Sequence, residues 1–222
     1  MGAAFGVKTD TAGSRLTLAT AAAALVAAAC YLNTFGNGFV FDDLDVIVRN
    51  PLVAGEQAGD LARTFSTHYW HHVRDYGNLY RPLTILSYAA NHAVSGLEPW
   101  SYHAVNLALH ALASALVVVL AVALGLPVGA AAAAGLLFAA HPVHTEAVAG
   151  VVGRAELLAA CAVLGAWCLH LGGSGIRRAL GVGLLFALGL FSKENAAVLP
   201  ALLLAGDAWR LGSPDPARRV HS

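Results

Sequence analysis

The chain has 222 residues, of which 58% are hydrophobic and only 12% are charged. A soluble domain usually carries about a quarter charged residues, so the composition excludes an ordinary soluble protein and indicates a polytopic integral membrane protein. The formal net charge is zero, which excludes a nucleic-acid partner, because no excess of basic residues exists to neutralise phosphates.

The first apolar segment, 16–32, follows Lys8 and Arg15 and predicts a membrane span that begins in the cytosol. The same features are typical of a secretory signal peptide, and AAAC at 27–30 faintly resembles a lipoprotein cleavage site. Both interpretations place the residues after 34 outside the cytosol.

The segment 34–100 is therefore predicted to be a long outer loop. Within it, 60–73 alternates apolar and polar residues at a helical period and carries aromatic residues, which predicts a helix lying on the membrane surface. The apolar segment 81–97 is short for a span. It predicts a second interfacial helix, because Pro82 suits the first turn of a helix.

The remaining apolar segments predict five more spans. The segment 102–140 contains no Asp, Glu, Lys or Arg and is about twice as long as one span needs, so GLP at 125–127 predicts a reversal between two spans. One span is predicted at 155–171. Two more are predicted within 179–209, where SKEN at 192–195 interrupts the apolar sequence.

The distribution of arginine supports this count of six. Arginines in short loops favour the cytoplasmic side, and with the N-terminus inside, six spans place both arginine clusters there, whereas five spans would misplace one. The clusters are Arg177 with Arg178, and Arg210 with Arg218 and Arg219. The predicted organisation is a cytosolic N-terminus at 1–15, a transmembrane region at 16–209 and a cytosolic tail at 210–222.

Polar residues capable of chemistry gather in the predicted outer segments, at 42–45, 141–146 and 192–194. A transporter would more often place charges near the bilayer midplane, beside broken helices. The distribution therefore favours a site at the membrane surface. Inside one span, His103, Asn106 and His110 form a stripe at helical spacing, which indicates hydrogen bonding between helices.

Four sequence blocks carry a family resemblance: FVFDDLDVIVRNP, YRPLTILSYAANHAVSGLEPWSYHAVNLALH, HPVHTEAVAGVVGRAELLA and SKEN. Their order and spacing closely resemble the N-terminal membrane part of the transmembrane and tetratricopeptide-repeat (TMTC) proteins, which are O-mannosyltransferase-like members of the GT-C glycosyltransferase superfamily. The resemblance covers about 31–209. It implies an all-α, GT-C-like fold. It also implies a polyprenyl- or dolichyl-phosphate sugar, with mannose as the expected sugar, as donor. The implied acceptor is a protein Ser or Thr hydroxyl on the outer or lumenal face.

The family's acidic pair falls on Asp42 and Asp43, which the resemblance assigns as catalytic. A hydroxyl is a poor nucleophile until a carboxylate accepts its proton, and a lipid phosphate is already a good leaving group. We expect Asp42 to be the base and Asp43 to orient it or to bind acceptor backbone, whereas Asp45 is expected to be a solvated loop residue. We also expect Asp42 to be at least partly buried at the mouth of a cavity, where it faces 141–146 and Lys193. The alternative for the pair is a turn or a helix cap before 44–48.

Arg81 and Lys193 resemble basic positions of the superfamily and are predicted to bind the donor phosphate, because charge-assisted hydrogen bonds to phosphate are strong. The alternative is snorkelling of their cations to lipid headgroups. Further candidates for substrate binding are His141, His144, Glu146, Arg154 and Glu194. The first three are also weighed as ligands of a divalent metal, although the zinc signature HExxH is missing, and as polar packing at the ends of spans. Arg154 and Glu156 are expected to pair either with such neighbours or with substrate.

Family members continue into further spans and a helical repeat array, and no repeat is visible in this sequence. The chain is therefore interpreted as a membrane glycosyltransferase or as the N-terminal half of one, and these 222 residues are not expected to suffice for activity on their own. The competing hypotheses are a non-catalytic membrane scaffold for the missing repeats and, third, a transporter subunit. The expected location is the bacterial inner membrane, or the endoplasmic reticulum membrane if the source is eukaryotic.

Overall fold

A computed structural model describes residues 8–73 and 77–211, and within these ranges the chain contains helices and turns but no strand. The predicted all-α architecture is therefore confirmed. The predictions made for 1–7 and for 212–222, including Arg218 and Arg219, lie outside the described residues. The helices are α1 (Lys8–Cys30), α2 (Pro51–Ala54), α3 (Leu61–Ser66), α4 (Pro82–Ser95), α5 (Pro99–Ala123), α6 (Val128–Ala140), α7 (Thr145–Ala149), α8 (Arg154–Leu171), α9 (Ile176–Ser192) and α10 (Leu199–Leu211).

The long apolar helices pack side by side in two groups. Helix α5 contacts α1, α6 and α8, and α8 in turn contacts α9 and α10. Small residues allow the close approach, as is usual where helices associate in a bilayer. At Gly135 of α6, an added Cβ atom would overlap the side chain of Val118 on α5. The first group therefore depends on a residue without a side chain at this crossing.

Each of the six predicted spans corresponds to a helix, but only some of these helices can cross a bilayer by length and composition. Three meet that requirement: Gly13–Gly36, Pro99–Ala123 and Val151–Leu171. A fourth span results if Val128–Ala140 and Pro142–Ala149, which meet at a bend of 45°, are taken together. The 17 residues of α9 lie at the lower end of the range of about 17–25 that a span takes, and the 13 of α10 lie below it. By length and composition alone, the described residues thus give three or four candidate spans.

Helix breaks at both predicted reversals are confirmed. Helix α5 ends at Ala123 and α6 begins at Val128, on either side of GLP. Helix α9 ends at Ser192, and a 3-10 turn over Glu194–Val198 precedes α10. The segment after α6 differs from the loop that we expected, because it continues through a 3-10 turn at Pro142–His144 into α7.

The segment 34–100, which is predicted to be the outer loop, has its own apolar core, and this core includes Tyr102 at the start of α5 and Val151 before α8. Helix α4 has the predicted extent and starts with a proline. The predicted helix 60–73 is wrong in length, because α3 stops at Ser66 and the chain turns to bury Tyr69 and Trp70. The buried residues of this core are Val46, Ile47, Leu52, Val53, Tyr69, Trp70, Ile85, Tyr88, Tyr102 and Val151. The acidic residues at 42–45 are thus attached to a packed layer.

Candidate active site

The aspartates at 42–45 lie in a tight turn that leads into the outer core. Phe41, directly before them, adopts a left-handed backbone with φ of 49°, which is uncommon for an aromatic residue and recurs at functional sites. The chain then forms one π-helical turn over the five residues Leu44–Val48, which buries Val46 and Ile47. The burial of these two side chains fixes the position of the turn that carries the carboxylates.

Asp43 is buried, with 1% of its surface exposed, and its carboxylate is fully engaged with backbone. One oxygen accepts a hydrogen bond from the N–H of Val40 at 3.1 Å. The other accepts from the N–H of Val152 at 2.9 Å, in the turn that precedes α8. Burial raises the pKa of Asp43, and the backbone N–H donors oppose that rise only in part. Asp43 therefore closes its own turn and also ties it to α8, and it does not line the cavity described next.

Asp42 is exposed and lines a cavity of about 610 Å³, a size typical of small-molecule sites. The prediction that Asp42 is at least partly buried is therefore wrong, because its side chain is exposed. The same cavity is lined by His144 and Glu146 and by Lys193, which are the segments that Asp42 was expected to face. Asp45 differs from both neighbours, since its carboxylate pairs with Arg49 on the same turn at 2.9 Å.

Arg81 also lines the cavity and is held between two partners. Its Nε and Nη2 atoms donate to the two carboxylate oxygens of Glu194 at 3.0 and 2.6 Å, and its guanidinium lies 5.2 Å from the centre of the Tyr69 ring. The hydrogen bonds from Arg81 lower the pKa of Glu194. Glu194 itself does not line the cavity, so its position is that of a support for Arg81 and not that of a direct ligand.

Lys193 reaches the cavity beside a carboxylate that was not among the predicted site residues. Its Nζ atom donates to one oxygen of Glu156 on α8. The other oxygen of Glu156 accepts from the Nδ2 atom of Asn195 at 2.8 Å. All three residues line the cavity. The turn after α9 is thereby connected to α8 through a pair of charges inside the candidate site.

The segment 141–146 divides between the cavity and the solvent. His144 and Glu146 line the cavity, and the His144 ring packs on Phe138 with centroids 4.2 Å apart. His141 is exposed, does not line the cavity and accepts a hydrogen bond from the N–H of Val143. Across residues 8–73 and 77–211, no group of three or more His, Cys, Asp or Glu side chains is arranged to hold a metal ion.

Arg154 occupies a different place from the one that a substrate-binding residue would need. It is fully buried and absent from the cavity lining. Its guanidinium donates to the Oδ1 atoms of Asn106 and Asn91 at 3.0 and 2.9 Å, and to the carbonyl oxygens of Ser87 and Tyr102. These bonds join α4, α5 and α8 below the outer core.

The cavity also contains residues that sequence reasoning did not assign to it. Tyr69 and Trp70 line it, and the aromatic segment at 68–72 was the available signal. His110 lines it as well, while its Nε2 atom bonds the carbonyl of Ala139 at 3.1 Å, as expected from the polar stripe on α5. For Glu156, the sequence left open a pairing with polar neighbours or with substrate, and the structure pairs it with Lys193.

Comparison with known proteins gives several strong matches. The chain is 50% identical to protein O-mannosyl-transferase Tmtc2 of Drosophila melanogaster over 135 residues, which are 59% of this chain and 14% of that protein. It is 43% identical to TMTC3 of Mus musculus over 147 residues, 64% of this chain and 15% of that protein. It is 42% identical to TMTC4 of Homo sapiens over 158 residues, 61% of this chain and 20% of that protein.

The matched segment thus spans only 14% to 20% of these three curated relatives. No family profile and no solved structure matches the chain. The relatives named above come from animals, so they give no support to the expected bacterial inner membrane. The apolar helices indicate an integral membrane protein, and about three fifths of the chain is similar to protein O-mannosyl-transferases of the TMTC type.

Proposed function

We propose that this chain forms the part of a protein O-mannosyltransferase that binds a lipid-phosphate mannose and activates the acceptor hydroxyl. The observation that carries the proposal is the composition of one cavity: an exposed carboxylate, Asp42, shares it with two cations, Arg81 and Lys193. A base for the acceptor and cations for a phosphate are the groups that this transfer requires.

In the proposed reaction, a Ser or Thr hydroxyl oxygen of an acceptor protein attacks C1 of the mannose. The bond between C1 and the phosphate oxygen breaks, and that oxygen leaves with the electron pair as part of a polyprenyl or dolichyl phosphate. Asp42 accepts the hydroxyl proton as the new bond forms. Each atom and charge is then accounted for, and no additional reactant is needed.

Asp43 supports this step without touching the reactants. Its carboxylate accepts hydrogen bonds from the backbone N–H groups of Val40 and Val152, and these bonds fix the turn in which Asp42 stands. A fixed turn matters for catalysis, because a general base must be held within hydrogen-bond reach of the proton that it takes. Asp43 is therefore a positioning residue in this proposal. The prediction that it orients Asp42 is retained, and direct contact with the acceptor backbone is not.

We place the reaction on the outer or lumenal side of the membrane. Asp42 belongs to the outer segment, and the predicted topology puts 141–153 and 192–195 on the same side. The support comes from proximity, since residues of all three segments line one cavity. A donor with a lipid tail would present its sugar at this height, close to the membrane surface.

The experiment uses the protein encoded by the complete reading frame that contains these residues, purified in detergent. It is incubated with a Ser/Thr-rich acceptor peptide and either dolichyl-phosphate mannose or GDP-mannose. We expect mannosylated peptide with the lipid-linked donor alone. Transfer from the nucleotide sugar would contradict the proposed donor class, and no transfer from either donor would favour the membrane scaffold.

A further inference from the structure

The two cations of the cavity differ in where their carboxylate partners lie. The side chain of Arg81 is 11% exposed and lines the cavity, whereas Glu194 is 56% exposed and does not line it. A guanidinium has five N–H groups, and Glu194 occupies two of them. Arg81 therefore keeps three donors for an anion, in an orientation that Glu194 and the Tyr69 ring hold in place.

Lys193 has the opposite arrangement. Its partner, Glu156, lines the cavity itself, so the carboxylate occupies space on the cavity side of the ammonium group. An ammonium is a compact point charge, and its three donors lack the planar fork with which a guanidinium binds an anion in a fixed geometry. In this state, Lys193 is neutralised by an internal anion at the place where a phosphate would approach.

The charged groups that line the cavity would make Glu156 and a phosphate compete for Lys193. Three carboxylates line it, from Asp42, Glu146 and Glu156, against the two cations Arg81 and Lys193. An incoming phosphate diester brings a further negative charge. The same cation cannot serve Glu156 and a phosphate equally well, so binding of one weakens binding of the other.

We propose that Glu156 competes with the donor phosphate for Lys193, so that Glu156 must release Lys193 before the phosphate binds. Glu194, in contrast, is a positioning residue for Arg81. This inference rests on the proposed function. Asn195 provides the alternative partner, because its amide already donates to Glu156 at 2.8 Å and can retain that carboxylate after Lys193 leaves. The site thus exchanges one anion for another at Lys193 and keeps Arg81 fixed throughout.

The two glutamates then give opposite results in one binding experiment. A short-chain polyprenyl-phosphate mannose is titrated into the purified full-length protein, and its Kd is measured without any transfer step. Glu156→Gln removes the competing charge but keeps an acceptor for Lys193, and we expect binding to tighten about 1.4- to 5-fold, the range for a partly exposed charge pair. Glu194→Gln removes the support of Arg81, and we expect binding to weaken by a similar factor.

A double-mutant cycle identifies the cation involved. In a Lys193→Ala background, Glu156→Gln should no longer tighten binding, because the ammonium group for which Glu156 and the phosphate compete is absent. Thermal unfolding of each variant shows whether the protein remains folded, and Glu156→Asp, which keeps the charge, should return the Kd towards that of the wild type.

Weaker or unchanged binding in a folded Glu156→Gln variant would overturn the competition and make Glu156 a support for Lys193. Unchanged binding in Glu194→Gln would overturn the positioning role of that residue. Failure of the wild-type protein to bind the probe is a separate outcome, since it would refute the proposed donor class itself.

Discussion

Replacement of Arg154 by alanine is expected to destabilise the protein, although Arg154 lies in a sequence block that suggests a substrate site. The guanidinium is fully buried and makes four hydrogen bonds, two of them to Asn106 and Asn91. It also stacks between the rings of Tyr88 and Tyr102, at 4.7 and 5.5 Å. Alanine would leave these acceptors buried without their donor.

The expected size follows from the number and kind of these bonds. A hydrogen bond to a charged group contributes about 1.5–3 kcal/mol, but bonds within one network do not add independently. Removal of one member of a buried charged network typically costs about 3–5 kcal/mol, so about 4 kcal/mol is expected for Arg154→Ala. In a domain of this size, 1 kcal/mol corresponds to about 2–4 °C in Tm, which gives a decrease of about 8–16 °C.

The assay is thermal unfolding in detergent, with Arg63→Ala as the matched control because Arg63 is an exposed arginine of the outer segment. Arg154→Lys should lie between wild type and alanine, since an ammonium has three donors and no planar fork. A Tm within about 2 °C of wild type, together with lost donor binding, would refute the structural role and restore Arg154 as a substrate-binding residue.

Three further predictions concern the turn before α8, the buried aspartate and the topology. Gly153→Ala should lower the free energy of unfolding by about 1–3 kcal/mol and lower the Tm, because the new Cβ atom would lie 2.6 Å from the Cα atom of Ala147. The control Gly129→Ala places its Cβ atom in open space and should leave the Tm unchanged. Equal Tm values for the two variants would contradict the packing around Gly153. Burial raises the folded-state pKa of Asp43 above 3.8, so its contribution to stability is full at low pH and is lost as pH rises through the raised pKa. The Tm advantage of wild type over Asp43→Asn should therefore shrink between pH 4 and pH 7, and a constant or growing advantage would be inconsistent with the raised pKa. In a cysteine-free background, a membrane-impermeant maleimide added from outside should label Val143→Cys but not Ser174→Cys, and labelling at 174 would reject the predicted orientation.

Local chemistry explains what could be predicted from the sequence. Pro and Gly at 125–127 and charges at 192–195 interrupt the apolar sequence, so both helix breaks could be predicted, and both are present. The cavity that contains Asp42, Arg81, His144, Glu146 and Lys193 brings together residues from all three outer segments that the topology had placed on one side.

Contacts between distant residues explain what could not be predicted. Asp42 and Asp43 are neighbours in sequence, yet only Asp43 meets the N–H of Val152, which lies 109 residues away. Arg81 and Glu194 are separated by 113 residues, so their pairing has no local signal. Helix α3 ends at Ser66, where the chain turns to bury Tyr69 and Trp70. The helical period of the sequence does not report this burial, so the helix predicted at 60–73 was too long.

The role of Asp42 as the base is tested most directly by the rate of mannose transfer in Asp42→Asn, measured in the full-length protein with saturating dolichyl-phosphate mannose. Asp45→Asn is the matched control, because Asp45 stands in the same turn and pairs with Arg49. General-base catalysis typically contributes about 10²–10⁴-fold, so Asp42→Asn should lose at least about 100-fold in rate, with donor Kd and Tm unchanged, whereas Asp45→Asn should retain transfer. Equal rates in Asp42→Asn and wild type would contradict the assignment of Asp42 as the base.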